Sequence, residues 1–238
     1  DSMAFSYCSS LEKIEIPDTI TSIGDYAFMY CEGIKEINIP KTVTSFTNGI
    51  FYGCSSLENF TVYKELENVG NYPFLGCKSM KNIEVEDGNK NYISENGVLF
   101  SSDKKILVAY PCGNGEKSYT IPDEVEEIAS SAFFDNENIE EVKFGSGLKY
   151  IDEGVFDFCS AIKSVLIPEN VVEIKDNAFS DCSGLEEVTL SEGLETIGQY
   201  AFYNCDKLKS VKVPESVTSI GDYAFGFLQS EDETDDDG

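Results

Sequence analysis

The chain has 238 residues, 44 acidic against 17 basic, with a formal net charge of −27 and no histidine. So acidic a balance lacks the basic face that nucleic acid requires, and it disfavours an anionic membrane as partner. Without histidine, Ser-His and Cys-His nucleophilic arrangements are excluded, and with no CxxC pair a zinc site is not expected.

From Met3 onward the chain repeats itself every 23 residues. Met3 to Cys8 reads as the tail of a coil whose strand is absent, so more coils are expected before Asp1. The first full coil begins at Leu11, taken as position 1. Apolar residues fill positions 1, 4 and 6 (Leu11, Ile14, Ile16), 10 and 13 (Ile20, Ile23), and 17, 18 and 21 (Ala27, Phe28, Cys31). Ile34, Ile37, Ile39, Val43, Phe46, Ile50, Phe51 and Cys54 fill the same phase, and Leu185 to Cys205 does so again. Positions 4 and 6 alternate with polar residues, the period of a strand with one buried face. Pro17, Pro40, Pro122, Pro168 and Pro214 at position 7 end the ladder and turn the chain. Position 15 is Asp25, Asn48, Asn71, Ser130, Asp176 and Asp222 in six coils. These residue types predict N-caps of short helical turns over Ala-Phe-x-x-Cys. The octapeptide TSIGDYAF at 21–28 returns letter for letter at 218–225.

Strand starts at Leu11, Ile34, Leu57, Met80, Glu116, Ile139, Ile162, Leu185 and Leu208 predict about nine coils, because a short fixed period marks a solenoid whose coils bury a core only by stacking. Between Val85 and Ile121 the spacing is 36 residues instead of 23. Two β-rich runs, 89–100 and 106–111, flank the polar turn 101–105, so this coil carries an inserted hairpin over about 88–115. Val98 or Phe100, with one residue of 106–110, is expected to fill the aromatic row there. The array spans 1–227. Residues 228–238 carry six acids and no base, an acidic disordered tail or linker. With those acids set aside the net charge is still −21.

The coil L-x-x-I-x-I-P-x-x-V-x-x-I-G-x-x-A-F-x-x-C resembles the BspA-like class of leucine-rich repeat over residues 1 to about 227. The inserted coil resembles a segment that interrupts many such arrays, with Asn89–Tyr92, Gly97–Phe100, Leu107–Pro111 and Tyr119–Pro122 matching N-x-N-Y, GVLF, L-x-AYP and Y-x-IP. The resemblance implies a curved solenoid, expected to be right-handed, with a parallel β-sheet on the concave side and the short helical turns on the convex side. It also implies a secreted or cell-surface protein, and an adhesin for host or neighbouring-cell proteins. It supplies no catalytic motif.

The residues themselves carry no catalytic, cofactor or metal site. Carboxylate pairs abound, but a flat repeated surface gives no reason for one pair to be desolvated. No phosphate-binding glycine loop sits between strand and helix, and no break in the repeat looks deep enough to form a pocket. Asp87-Gly-Asn89 lacks the regular carboxylate spacing of a calcium loop. Asn59-Phe-Thr61 is a glycosylation sequon lying on a strand. Seven of the eight cysteines share the inward phase beside the Phe row and read as free, packed thiols, with Cys112 the one expected to be exposed.

What remains is the face of outward strand positions 3 and 5. Its candidate binding residues are Lys13, Glu15, Glu36, Asn38, Asn59, Thr61, Asn82, Glu84, Glu141, Lys143, Glu187, Thr189, Ser210 and Lys212, with Ser118, Thr120, Ser164 and Leu166 completing the row. Either it is a solvated sheet face or it is part of a broad protein-binding surface. The exposed hairpin turn at 101–105 is a second candidate. The expected function is therefore a non-catalytic, protein-binding module without membrane insertion. The alternatives are a structural spacer holding another domain off the cell surface, or the targeting arm of a larger enzyme.

Overall fold

The computed structural model describes residues 1–226, so the end of the array at 227 and the acidic tail at 228–238 lie outside the described residues. In chain order the strands are β1 (Asn59–Val62), β2 (Asn82–Val85), β3 (Tyr92–Glu95), β4 (Val98–Ser101), β5 (Ile106–Ala109), β6 (Ser118–Thr120), β7 (Glu127–Ile128), β8 (Glu141–Lys143), β9 (Tyr150–Ile151), β10 (Ser164–Leu166), β11 (Glu173–Ile174), β12 (Glu187–Thr189), β13 (Thr196–Ile197) and β14 (Ser219–Ile220). They form a β-solenoid. The central coils lay one strand at positions 3–5, and from the insertion onward a shorter one at positions 12–13, against the same segments of the neighbouring coil. Pairing is parallel and offset by one repeat, as in Asn59↔Asn82, Ser164↔Glu187 and Ile174↔Ile197.

The strands expected at the Leu11, Ile34 and Leu208 starts do not form ladders. Ile37 and Ile39 are buried all the same, and Leu11, Ile14 and Ile16 pack on the core. Toward the ends of the described stack packing persists where strand pairing frays.

The expected helical turns are replaced by something different. Positions 16 and 20 both adopt left-handed backbone in coil after coil: Tyr26 and Tyr30, Gly49 and Gly53, Tyr72 and Gly76, Ser131 and Asp135, Gly154 and Phe158, Asn177 and Asp181, Tyr200 and Asn204, with φ from +52° to +75°. A helix would send these N–H groups up its own axis. Here the N–H groups of Tyr26, Phe28 and Tyr30 donate to the carbonyls of Asn48, Ile50 and Tyr52 in the next coil, at 2.9, 3.1 and 2.7 Å. Between them Met29 and Cys31 close tight turns on Tyr26 and Phe28. The anticipated N-caps reach across coils as well. The Asp25 carboxylate accepts the Asn48 N–H at 2.9 Å, and that of Asp176 accepts the Gln199 N–H at 2.7 Å.

Inside, the phenylalanines stack ring on ring. Phe133, Phe156, Phe179, Phe202 and Phe225 follow one another at centroid spacings of 4.9 to 5.2 Å. In the first half Phe28, Phe51 and Phe74 are 6.0 Å apart, where Phe46 and Phe60 pack against the same rings. Each core cysteine reaches back one coil: the thiols of Cys54, Cys77, Cys159 and Cys182 donate to the carbonyls of Phe28, Phe51, Phe133 and Phe156 at 3.1 to 3.2 Å. Those carbonyls already take an N–H from their own coil, that of Cys31 on Phe28, Cys54 on Phe51 and Cys159 on Phe156, and that of Asn136 on Phe133. Cysteine at this position thus combines small apolar volume with a donor for a second buried lone pair. Asn136 stands in this row, its side-chain oxygen accepting the N–H groups of Asn138 and Ile139.

The insertion is three strands rather than two. The run read as continuous from 89 to 100 folds on itself at Asn96-Gly97, both at positive φ, the geometry of a tight hairpin turn. β5 then pairs antiparallel with β4 and parallel with β7. Leu99 and Ala109 face the core of the first coils, whereas Val98, Phe100, Leu107 and Tyr110 face the core of the later ones. Tyr110 stacks on Phe133 at 4.5 Å and Phe100 is fully buried, so the aromatic row is filled as expected. Cys112 is not the exposed cysteine: it is half-buried, beside Asn136 and between the thiols of Cys77 and Cys159, and Cys8 is exposed instead.

Phe179→Ala should cost about 3–5 kcal/mol, as for other buried phenylalanines, read as a shift in chemical denaturation midpoint. Burial pushes the thiols of Cys54 and Cys205 up to about 12, and those of Cys77, Cys159 and Cys182 above the ordinary range. Alkylation of the native protein at mildly basic pH without reductant should therefore modify Cys8 first and leave these five unreacted. Unfolding should release all eight thiols by mass. Bridges surviving denaturation would contradict this packing.

Candidate functional site

The outward strand positions fall where the alternation places them. Thirteen of the fourteen candidate residues are exposed and Asn82 is half-buried, while Phe60, Ile83, Val142, Val165 and Val188 between them point inward. The face is not continuous, however. β1 and β2 form one ladder, and β6, β8, β10 and β12 form another. Between them the hairpin caps β2: the Ile83 N–H donates to the Gly97 carbonyl at 3.0 Å, and the Ser94 hydroxyl donates to the Ile83 carbonyl at 2.5 Å.

Around β1 the face carries a shallow hollow of about 260 Å3 lined by Glu36, Asn38, Lys41, Asn59, Thr61 and Glu86. Lys41 bridges to Glu86 at 2.9 Å, and Lys41 with the Lys64 N–H holds the Glu86 carboxyl below the usual range. On the later ladder Glu141 and Lys143 pair at 3.4 Å, and Leu166 stands 63% exposed among polar neighbours. The hairpin turn is less free than its sequence suggests. Lys104 is bound to Glu95 and Lys105 to Glu126, and the Ser101 hydroxyl donates to Asp103 at 2.7 Å. Lys105 and Lys149 together lower the Glu126 carboxyl to about 2.

The opposite, turn-bearing side holds a feature that the repeat pattern does not foretell. None of Tyr72, Phe74 or Gly76 sends a backbone N–H to the next coil among the described residues, so the turn ladder breaks at the insertion. The break opens a groove of about 350 Å3, against the expectation that no interruption would be deep enough. Tyr30, Tyr52 and Leu75 line one part, Phe134 and Phe158 another, with Lys78 and Asp135 at the rim. Lys78 bridges the two halves, 2.9 Å from Asp135 and 2.8 Å from Glu137. Burial, with the neighbouring Tyr30 hydroxyl, pushes the Tyr52 phenol up to about 12. No single-residue signal marks this groove, because its two walls come from residues 59 to 128 apart in sequence.

Near this rim lies Asp157, one carboxylate oxygen buried without a hydrogen-bond partner. Burial first, then the charges of Asp181 and Asp135, raise its carboxyl to about 7 against a bond from Ser180. Among the described residues no cluster of three or more His, Cys, Asp or Glu is placed to hold a metal, and no helix is long and apolar enough to cross a membrane.

Parallel strands at a 23-residue period with a stacked phenylalanine row define a leucine-rich-repeat β-solenoid. The chain belongs to the BspA type leucine rich repeat family, whose repeat matches residues 1–107 and 110–230 in six copies. The fold is similar to that of the pneumococcal vaccine antigen PcpA, with a TM-score of 0.80 and 25% identity over 92% of this chain and 58% of that one. It is also similar to a leucine rich cell surface protein of Faecalibacterium prausnitzii (TM-score 0.72, 24% identity, 96% of this chain and 62% of that one). A leucine-rich repeat protein of Eubacterium ventriosum matches at TM-score 0.64 and 25% identity, over 98% of this chain and 81% of that one. The chain thus spans about three fifths of the length of the first two. No curated protein sequence matches it.

A raised carboxyl favours the folded state only while protonated. Its contribution is complete below the unfolded value near 3.8 and is lost as pH rises through about 7. Asp157→Asn should therefore raise the melting temperature at pH 8, with the gain shrinking toward pH 5. An unchanged gap across that range would show that Asp157 titrates normally.

Proposed function

We propose that this chain is a non-catalytic protein-binding module of a secreted or cell-surface protein, adhering to a host or neighbouring-cell protein through the outward strand face. The observation that carries this reading is the row of exposed side chains at positions 3 and 5, in register along the two ladders β1–β2 and β6–β8–β10–β12 and backed by buried residues between them. Such a row is rigid, spans many coils and leaves its side chains free to vary without disturbing the core. The similarity to a leucine rich cell surface protein of Faecalibacterium prausnitzii supports the placement. Among the described residues the outward strand face holds no desolvated acid–base pair, its candidate side chains being exposed or half-buried. A spacer reading draws on a different observation: the face has no aromatic anchor, and Glu141 and Lys143 neutralise each other.

The test is a binding screen of the chain against extracellular-matrix and cell-surface proteins, repeated with Glu36, Glu141 and Glu187 changed to lysine. Three reversals in an acidic face should slow association with a basic partner by about tenfold at low salt and by less at high salt. Capture unaffected by the reversals would remove the strand face as the contact. Absence of any partner across the screen would favour the spacer.

A further inference from the structure

The groove at the broken turn ladder is built unlike the rest of the turn side. At position 20 the residues of successive later coils are Asp135, Phe158, Asp181 and Asn204; three are polar, and Phe158 alone is aromatic, 47% exposed. Folding does not require it to be, since its ring contact is an edge-on approach to Phe134 at 5.7 Å. Across the groove Tyr30 and Tyr52 meet edge-on at 5.3 Å. The floor between is backbone. Gly53 and Gly76 both sit at positive φ, their α-carbons close enough that a side-chain carbon on Gly76 would lie 3.3 Å from Gly53, while one on Gly53 would run into the Tyr30 ring. Two glycines thus keep open a space that any larger residue would fill.

Around these aromatic walls the charge is negative. Glu32 and Asp135 line the rim, and the one lysine there, Lys78, is held between Asp135 and Glu137, so its charge is matched twice. Aromatic faces carry negative quadrupole density and attract cations, the more strongly with carboxylates at the edge. The field of a chain at −27 brings cations toward it. About 350 Å3 of open space is at the small end for ligand sites and suits one long side chain rather than a cofactor. We propose that this groove docks a lysine or arginine side chain presented by an exposed basic segment of the partner protein. The proposal rests on the reading of the chain as a protein-binding module, and it places a contact on the turn side in addition to the strand face.

The probe is a short blocked peptide of alternating arginine and serine, titrated into the full chain by calorimetry and by NMR of the aromatic ring signals. Tyr30→Asn and Phe158→Asn test the walls, since asparagine tolerates left-handed backbone and Asn204 already holds the equivalent place. Each should weaken binding about tenfold, the scale of a lost ring–cation contact, with melting temperature nearly unchanged. Glu192→Lys, exposed and outside both the groove and the strand face, should leave affinity as it was. Equal affinity in both asparagine variants would overturn the proposal in favour of diffuse attraction to the acidic surface. Tighter binding of a neutral proline–serine peptide would overturn it in favour of an apolar occupant. In the cell-surface screen, capture lost with the strand-face reversals but intact in Phe158→Asn would leave the protein-binding reading standing and remove the groove from it.

Discussion

Everything in this molecule depends on one hydrogen-bond direction. In the turn segment of most coils three N–H groups, at positions 16, 18 and 20, point to the next coil and meet the carbonyls of positions 15, 17 and 19 there; among the described residues Phe51 and the coil of Tyr72, Phe74 and Gly76 are the exceptions. A chain turning tightly cannot aim alternate peptides the same way with right-handed residues alone, so positions 16 and 20 go left-handed. For a residue with a side chain that conformation costs about 1–2 kcal/mol, and tyrosine, serine, aspartate and phenylalanine all accept it here. The offset is what those bonds fix. Once coil n meets coil n+1 at 23 residues, phenylalanine falls on phenylalanine, a thiol on the preceding phenylalanine's carbonyl, and an aspartate on the next coil's N–H. Each of these contacts alone is modest. Together they make a one-residue slip lose every row at once.

The insertion shows what happens where that direction fails. The three inter-coil rows respond differently. The strand row at positions 3–5 ends at β2 under a lid of hairpin backbone. The row at positions 12–13 runs from the insertion into the later coils, because β5 pairs parallel with β7 while β3 and β4 fold back on it. The turn row stops, and the groove is the gap it leaves. Continuity of the core survives only because β4 and its neighbours are apolar on both faces, Leu99 toward one side and Phe100 toward the other. The hairpin is thus a partition, and the array on its two sides packs as two separate apolar clusters.

How much of this was legible follows from what each residue is required to do. Burial repeats the same demand in every coil, so Phe28, Phe51, Phe156 and Phe179 announce their row in the sequence, and the alternation at Val188 or Phe60 fixes which side chains face out. The left-handed positions announce nothing. Tyr26, Gly49, Ser131 and Asn177 share one conformation imposed by neighbours and share no side-chain property, so Asp25 and Asp176 read as helix caps when they cap the next coil. Asn96-Gly97 was a legible hairpin signal inside the run 89–100, which reads as one continuous strand-forming stretch. Cys112 read as exposed because it lies off the 23-residue phase, yet the insertion's length returns it to the thiol row. The groove needed the fold itself, since Tyr30 and Phe158 belong to coils that only the break brings into one wall.

Charge obeys the same stacking rule. In parallel, in-register coils, like positions land on like positions, so a uniformly charged position would stack its own repulsion. Position 2 avoids this by alternating: Glu12, Lys35, Glu58, Lys81, then after the insertion Lys117, Glu140, Lys163, Glu186, Lys209. Glu58 meets Lys81 at 2.6 Å and Glu140 meets Lys163 at 2.5 Å, and the alternation lapses only where the hairpin separates Lys81 from Lys117. All 17 basic residues are lysine, and ten of them form such ion pairs among the described residues. Exposed pairs of this kind add little stability each. Their larger consequence is electrostatic: the chain neutralises most of its own cations locally. The surplus carboxylates are left to set the field that any approaching protein meets, and only a partner carrying basic side chains gains from entering it.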